Sequence, residues 1–251
     1  MEEYIQAVIL IVVGFFAGVI NTLAGGGSLF TLPVLIFLGL PPNIANGTNR
    51  IAIVIQSLSG ALGYKSKGIS NFPFNIYLGI SASIGAVIGA QIAIDLDGRL
   101  FNRILAIILI VVGGLILMNA KNLTHKLPER LTGKYLLFGI IGFFFIGIYG
   151  GFINAGIGIV IMLFLNRINR LSLVKTNASK TAIVFIYSSL ALAVFAFNEA
   201  INWKLGLLMA LGTSVGAWWA SRWSVKKGDQ VIRWAMLITI GIMAVKLWFF
   251  E

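Results

Sequence analysis

Residues that carry catalytic chemistry are scarce in this chain. It contains no cysteine, a single histidine (His125) and only 8 acidic residues. The absence of cysteine excludes disulfide bonds, thiolate metal sites and redox chemistry at sulfur. Intramembrane hydrolases need a serine–histidine pair, two aspartates or a metal set within the bilayer, and no histidine or acidic residue falls deep in an apolar segment. We therefore expect a protein that is not an enzyme and that holds no cofactor or metal.

Charged residues are also few, and the apolar content is high. Charged residues make up 11% of the chain, 59% of the residues are hydrophobic, and the mean hydropathy is +0.96. A soluble domain carries about 25% charged residues. This composition predicts an all-α polytopic membrane protein. The net charge of +11 does not indicate nucleic-acid binding, because the basic residues lie between apolar segments, where they face lipid headgroups.

The sequence predicts ten membrane segments, five in each half, and the second segment of each half is short. The predicted domains are a first transmembrane repeat at 1–120, a cytoplasmic linker at 121–134 and a second transmembrane repeat at 135–251. The acidic start, Met1 to Tyr4, is unlike the positive start of a cleaved signal peptide, so we expect the first segment to be retained. The predicted segments are 5–23, 29–40, 44–64, 72–94, 100–118, 135–153, 157–166, 172–197, 203–221 and 231–250.

The two halves resemble each other at a spacing of about 130 residues, which indicates a duplication. For example, Ala24-Gly25 is matched by Ala155-Gly156. If each short segment crosses the membrane, 14 of the 19 basic residues fall on one side of the membrane. If each short segment instead enters and leaves on the same side, the basic residues divide 11 to 8 between the two sides. The first alternative is favoured because cytoplasmic loops collect lysine and arginine. It predicts inverted repeats in the cell (inner) membrane, with both termini outside the cytoplasm.

A glycine-rich break precedes each short segment. The breaks are Gly25-Gly26-Gly27 and Gly156-Ile157-Gly158. Each break frees backbone polar groups that cost several kcal/mol unless protein, water or a ligand satisfies them. The helix that follows points its amide groups and its positive dipole end into the break, which favours an anion. Paired interrupted helices indicate the substrate site of a duplicated transporter; a glycine hinge that only lets helices pack is the alternative.

A basic residue lies at the same place in the third segment of each half. Arg50 and Lys180 are about two turns inside their segments. Such a cation faces the protein interior or water, or its side chain extends to the headgroups. In the first case both would be counter-charges for an anion, and nearby amide and hydroxyl groups would complete its shell. The predicted substrate-binding residues are Asn21, Thr22, Gly25, Gly26, Gly27, Ser28, Asn46, Thr48, Asn49, Arg50, Asn154, Gly156, Gly158, Asn177, Ser179 and Lys180.

Three stretches of the chain resemble the sulfite exporter TauE/SafE family of permeases. They are residues 14–33 (GFFAGVINTLAGGGSLFTLP), 41–50 (PPNIANGTNR) and 147–158 (GIYGGFINAGIG). The second-half signature departs from the family pattern, since Ile157 replaces a glycine and Phe164 stands where a counterpart of Pro33 is expected. The resemblance implies transport of small sulfur-containing anions such as sulfite, thiosulfate or organosulfonates. Nothing in the composition or the spacing indicates sulfur.

We therefore expect a secondary transporter of small anions that works by alternating access at the paired broken helices. Its partners would be the lipid bilayer and a small anionic substrate. The sequence Gly25-Gly26-Gly27-Ser28 lacks the lysine of a P-loop, so transport driven directly by ATP is not indicated. Coupling to protons or sodium and the oligomeric state stay open. The alternatives are a passive anion channel and a permease for a non-sulfur organic anion.

Overall fold

The computed structural model of the chain describes residues 2–105, 107, 128–232 and 234–235. These residues form helices joined by turns and loops and include no strand, which confirms the prediction of an all-α fold. Residues 98–105 and 229–232 are also helical. In chain order, helices α1 to α8 are Glu2–Ala24, Ser28–Phe37, Pro42–Lys65, Phe74–Asp95, Gly133–Phe152, Ile157–Arg167, Leu173–Phe197 and Trp203–Lys227.

Each of the first four segments predicted in either half corresponds to one helix. The short helix α2 ends at Phe37 rather than at 40, because Gly39 takes a left-handed conformation (φ 90°) and the residues after it lead into Pro41. Helix α8 continues past the predicted end at 221 to Lys227, and Gly228 (φ 75°) terminates it. The fifth segments, predicted at 100–118 and 231–250, lie largely outside the described residues, as does half of the linker.

Several helices are suited to a membrane. Among the described residues, four are long and apolar enough to cross a bilayer, judged by length and composition alone: Glu3–Ala24, Phe74–Asp95, Gly133–Phe152 and Leu173–Phe197. Helices α3 and α8 are equally long but more polar, and α2 and α6 are shorter apolar helices. Large apolar side chains such as Phe145 are exposed on the outer surface, where lipid can cover them. The chain is therefore a multi-pass membrane protein.

Helices of the two halves pack against each other in pairs. Helix α1 packs along α8, α4 packs along α5, and α3 and α7 meet at the centre. Glycine permits these close contacts. A Cβ atom on Gly14 of α1 would lie 2.6 Å from the carbonyl oxygen of Met209, and one on Gly151 of α5 would lie 2.5 Å from the Cα of Ala86. Small residues at such crossings are how membrane helices gain van der Waals contact.

Many of the basic residues gather at one end of the helical bundle, which we call the basic end. There the Tyr64 hydroxyl lies 3.1 Å from Ser224 Oγ, which puts the end of α3 beside the end of α8. The Asp229 carboxylate, just after α8, accepts hydrogen bonds from the first turn of α7, including Leu173 N at 3.1 Å. The basic residues at or next to these helix termini are Lys65, Lys67, Lys175, Arg222, Lys226 and Lys227.

The chain before α5 and the chain after α6 also meet at the basic end. Asn169 Nδ2 donates to the carbonyl oxygen of Arg130 at 2.8 Å, and Lys175 forms a 2.7 Å ion pair with Glu129. These contacts add Arg130, Lys134, Arg167 and Arg170 to the basic end.

The opposite end of the bundle holds the starts of α1, α3 and α8. Lys204 Nζ lies 3.0 Å from Glu3 Oε1, so α1 and α8 begin side by side. The Thr48 hydroxyl accepts a 2.8 Å hydrogen bond from the backbone N–H of Asn202, which joins the first turns of α3 to the loop before α8. Thr48 lies at this opposite end and Tyr64 lies at the basic end, so α3 runs from the opposite end to the basic end.

Candidate functional site

The two glycine-rich breaks are in direct backbone contact. A Cβ atom on Gly158 would lie 2.5 Å from the Cα of Gly25 and 2.7 Å from its carbonyl oxygen. Real Cβ atoms essentially never come so close to backbone, so the contact requires the absence of a side chain. The breaks predicted separately in the two halves are therefore brought together in the interior of the bundle.

The first break is a sharp reversal after α1. Gly25 takes φ 82°, and its N–H donates to the carbonyl oxygen of Asn21 at 3.0 Å, as in a helix C-terminus closed by a left-handed residue. Helix α2 begins three residues later without a side-chain cap. The Ser28 hydroxyl instead donates to the carbonyl oxygen of Asn154 at 2.7 Å, across to the other break.

The second break is held by tyrosine hydroxyl groups. After α5, Ile153 is extended and a turn leads to Gly156, which takes φ 72° and precedes α6, again without a side-chain cap. Tyr149 donates to the carbonyl oxygen of Ala155 at 2.5 Å, and Tyr187 of α7 donates to Asn154 Oδ1 at 2.8 Å. Hydrogen bonds of this kind satisfy backbone and amide groups that the break would otherwise leave unpaired in the membrane interior.

A small polar cavity lies where the breaks meet. Its volume is about 10 Å³, room for about one water molecule. Helices α1, α3 and α7 form its walls together with the first residues of α6, whose backbone N–H groups have no side-chain cap. The lining residues are Asn21, Gln56, Ser57, Asn154, Ile157, Gly158, Lys180, Thr181 and Val184.

Lys180 is the charged residue in the wall of this cavity. Its side chain is buried, and Nζ donates to the carbonyl oxygens of Asn21 at 2.8 Å and Thr22 at 3.1 Å. The remaining contact of Nζ is with Met162 Sδ at 3.7 Å, and sulfur is a weak acceptor. No carboxylate among the described residues forms an ion pair with it. Within the described part of the chain, Lys180 therefore has no acidic partner.

Arg50 occupies the equivalent place in the first half but does not line the cavity. It is fully buried, and its two terminal nitrogens donate to the carbonyl oxygens of Gly150 at 2.5 Å and Gly151 at 2.6 Å, in the last turn of α5. The guanidinium also lies over the Phe195 ring, 5.6 Å from its centroid. Its positive charge thus meets the negative dipole end of a helix. Both predicted cations bind carbonyl groups in the last turn of a helix, but of the two Lys180 alone lines the cavity.

Several other predicted site residues connect α3 and α7 to the backbone around the breaks. Asn46 Nδ2 donates to the carbonyl oxygen of Phe152 at 2.8 Å, and Asn177 Nδ2 donates to that of Leu23 at 2.9 Å. Both side chains are buried. They satisfy the last carbonyl groups of the helix before each break, which is the role of a C-terminal cap.

The remaining predicted residues do not line the cavity. Thr48 binds the loop before α8, and Ser179 Oγ accepts a 2.7 Å hydrogen bond from Asn71 at the basic end. The carbonyl oxygen of Gly26 accepts a 3.1 Å hydrogen bond from the backbone N–H of Leu29. The buried atoms Thr22 Oγ1 and Asn49 Oδ1 have no hydrogen-bond partner among the described residues. A Cβ on Gly27 would lie 2.5 Å from Asn21 Cβ.

Of the sixteen predicted residues, the structure brings Asn21, Asn154, Gly158 and Lys180 together in the cavity wall. Gln56 and Ser57, whose place further along the helix of Arg50 in the sequence already indicated that they could line the path, also line the cavity. Thr181 lines it too and was not predicted; its position directly after Lys180 is the signal that could have found it. No group of three His, Cys, Asp or Glu side chains among the described residues is placed to hold a metal ion. The cavity wall offers an amine, amide groups and hydroxyl groups as hydrogen-bond donors.

Known proteins resemble the chain over almost its whole length. The family model described as "Sulfite exporter TauE/SafE" matches residues 10–247. A "Probable membrane transporter protein" of Haemophilus influenzae is 30% identical over 95% of this chain and 93% of its own length. "Probable membrane transporter protein ORF9" of Sinorhizobium is 30% identical, covering 95% of this chain and 90% of its own.

"Probable membrane transporter protein YfcA" of Escherichia coli K12 is 27% identical, over 95% of this chain and 88% of that relative. No solved structure matches the chain. The extent of the family match and the identity to the Haemophilus protein establish the relationship. The chain belongs to the sulfite exporter TauE/SafE family of membrane transporters.

Proposed function

We propose that this protein is a secondary transporter of small anions and that the anion binds in the cavity beside Lys180. The observation that carries the proposal is the buried Lys180 amine, whose hydrogen-bond partners among the described residues are two carbonyl oxygens and a thioether near the meeting point of the two breaks. A charge in the protein interior is costly unless it is paired. An anion entering the cavity would provide the missing partner.

The first residues of α6 support an anionic ligand independently of Lys180. Ile157 and Gly158 line the cavity at the start of a helix that has no side-chain cap, so the positive end of the helix dipole faces the same space. Gln56, Ser57 and Asn154 add amide and hydroxyl groups that can donate to oxygen atoms. This combination suits a small oxyanion.

The small volume of the cavity favours a carrier over a passive channel. With room for about one water molecule, the cavity has to enlarge before a sulfur oxyanion can enter. In an alternating-access transporter a binding site closes between openings to either side, and broken helices near the bilayer midplane form it. We therefore interpret this conformation as a closed state.

The inverted repeat is part of the same proposal. Helix α1 packs on α8 as α5 packs on α4, which is the pattern expected if a two-fold axis relates the halves. Lys180 of α7 binds carbonyl groups in the last turn of α1, and Arg50 of α3 binds those in the last turn of α5. In both halves the short helix returns the chain toward the end of the bundle at which the preceding long helix began, so α2 returns toward the start of α1 and α6 toward the start of α5. We propose repeats at 1–120 and 135–251 joined by a linker at 121–134.

The charges support one orientation in the cell membrane. Loops rich in lysine and arginine remain in the cytoplasm, so we propose that the basic end is cytoplasmic and that both termini lie outside. A reporter that is active only in the cytoplasm, fused in turn to the N-terminus and into the loop after Lys67, tests this orientation. Activity is expected from the loop fusion alone, and activity from the N-terminal fusion alone would reverse the topology.

Sulfur in the substrate is supported by the family description and by nothing in the cavity itself. The test is a thermal-shift screen of the purified protein against sulfite, thiosulfate, sulfoacetate and taurine, with acetate and succinate as carboxylate controls. We expect a sulfur anion to raise the unfolding temperature most. A larger shift with a carboxylate would assign the protein to a non-sulfur organic anion.

Transport itself is tested by counterflow in proteoliposomes. Unlabelled substrate inside the vesicle should accelerate uptake of labelled substrate through a carrier, and a channel should show no such stimulation. The interiors of the described helices carry no acidic residue for a proton relay. We propose that the substrate gradient, or protons carried by the substrate, drives transport; applied pH and sodium gradients identify the coupling ion.

A further inference from the structure

An exposed groove at the basic end lies on the outer face of α8, away from the substrate cavity. The groove has a volume of about 710 Å³ and opens to the surroundings of the protein. Its principal lining residues are Lys67, Trp218, Trp219, Arg222, Trp223 and Lys226. All but Lys67 belong to α8, and Lys67 comes from the turn after α3. None of these residues lines the substrate cavity.

The polarity of the groove changes along α8. Val215 and Trp218 lie on the side of the bilayer interior, and Arg222 and Lys226 follow one and two turns later at the helix end. From Val215 to Lys226 the helix rises about 16 Å, because each residue adds about 1.5 Å. An apolar floor that grades into cations over this distance matches the upper acyl chain and the headgroup of a phospholipid.

The tryptophan side chains of the groove contact each other and a neighbouring cation. Trp219 and Trp223 are stacked, with ring centroids 5.1 Å apart and planes at 15°. The Arg222 guanidinium lies over the Trp218 ring at 5.3 Å, which holds the cation at the edge of the groove. Amphipathic rings of this kind prefer the headgroup level of a bilayer.

Among the residues that the structure describes, the cations of the groove have no acidic partner. Arg222, Lys226 and Lys67 are exposed, and none of the ion pairs formed by the described residues includes them. Three positive charges around an aromatic floor therefore face the lipid without compensation. An anionic group is the complementary occupant, since each cation near a membrane surface attracts anionic lipid.

We propose that this groove is a binding site for an anionic phospholipid of the leaflet at the basic end. The lipid phosphate would lie among Lys67, Arg222 and Lys226, and an acyl chain would lie along Trp218 and Val215. The site is separate from the transport site and does not depend on which anion the protein carries.

The test compares the unfolding temperature of the detergent-purified protein after addition of phosphatidylglycerol, phosphatidylcholine or glycerol phosphate. We expect phosphatidylglycerol to raise it by about 3 °C more than phosphatidylcholine, and glycerol phosphate to have no effect. The variant Lys67→Gln/Arg222→Gln/Lys226→Gln should lose this difference. The matched control, Lys65→Gln/Lys134→Gln/Lys227→Gln, removes the same charge from the same end and should keep it.

Three other outcomes overturn the proposal. If both triple variants lose the difference between phosphatidylglycerol and phosphatidylcholine equally, the attraction of anionic lipid is spread over the whole basic end. A shift with glycerol phosphate would identify a site for a soluble anion, and concentration-dependent dimers without a lipid effect would make the groove an interface between copies. If the groove variant fails to fold, native mass spectrometry of Arg222→Gln replaces it: an unchanged number of retained phosphatidylglycerol molecules contradicts the site, and a reduced number supports it.

Discussion

The Lys180 ammonium donates a 2.8 Å hydrogen bond to the carbonyl oxygen of Asn21, a residue 159 positions earlier in the chain. The bond joins α7 to the last turn of α1, where the unpaired carbonyl groups and the negative dipole end of the helix lie. Arg50 makes the corresponding contact with Gly150 in the last turn of α5. A cation from each half thus stabilises the break of the other half, and Lys180 additionally faces the cavity.

Replacing Lys180 by glutamine is predicted to remove most of the transport activity. The change keeps a hydrogen-bond donor but deletes the charge, and a hydrogen bond to a charged group contributes about 1.5–3 kcal/mol. Counterflow uptake at a subsaturating substrate concentration should therefore fall by about tenfold or more. Lys175→Gln is the control, because that side chain is exposed at the basic end and pairs with Glu129. Equal uptake by both variants would remove Lys180 from the binding site.

Replacing Gly158 by alanine is predicted to destabilise the meeting of the two breaks. The new Cβ would lie 2.5 Å from the Cα of Gly25, and backbone cannot move aside as a flexible side chain can. Overpacking of this kind lowers the free energy of unfolding by about 1–3 kcal/mol. Each kcal/mol lowers the unfolding temperature by about 2–4 °C.

Gly98→Ala is the matched control for this change. Its Cβ would make only an ordinary 3.6 Å contact with Pro42 Cδ. We expect its unfolding temperature to stay at that of the parent protein. A Gly158→Ala variant as stable and as active as Gly98→Ala would contradict the close contact of the breaks.

Replacing Arg50 by lysine is predicted to lower stability more than anion affinity. The guanidinium donates to two successive carbonyl groups, of Gly150 and Gly151, and a lysine ammonium lacks the planar fork that reaches both. A buried carbonyl left unpaired costs about 1–3 kcal/mol. The unfolding temperature should fall, while calorimetry on the folded protein should give a dissociation constant within about threefold of the parent value, a difference below 1.4 kcal/mol. A larger loss of affinity at unchanged stability would place Arg50 at the ligand.

Replacing Tyr187 by phenylalanine tests the support of the second break. The hydroxyl donates to Asn154 Oδ1 at 2.8 Å, and its loss should cost about 1 kcal/mol because Asn154 would be left without this donor in a buried position. Since Asn154 lines the cavity, we expect a raised substrate KM as well. Tyr77→Phe, on the exposed face of α4, is the control and should change neither the stability nor the substrate KM. If Tyr187→Phe gave the same stability and KM as this control, Tyr187 would not support the second break.

The helices and the breaks could be predicted from the sequence because each depends on local chemistry. Apolar runs near 20 residues indicate membrane helices, and Gly25 and Gly156 take the positive φ values that glycine permits at helix ends. The polar last turns of α8 extend that helix beyond its apolar run, so hydropathy alone placed its end too early.

The partners of the polar side chains could not be predicted in the same way. Arg50 and Lys180 occupy equivalent positions in the sequence, yet only Lys180 lines the cavity. The difference arises from contacts more than 90 positions apart, such as Arg50 with Gly150 and Lys180 with Asn21, which the packing of the two halves determines. The replacement of a glycine by Ile157 indicated unequal half-sites but not which cation would face the cavity.

The most direct test of the central claim is the position of the bound anion. Crystals of the protein grown with the selenium analogue of the best-binding sulfur oxyanion would locate it by anomalous scattering. We predict a selenium peak in an enlarged cavity, with an anion oxygen about 3 Å from Lys180 Nζ. A peak elsewhere in the bundle, with Lys180 still bound only to the carbonyl groups of Asn21 and Thr22, would contradict the account.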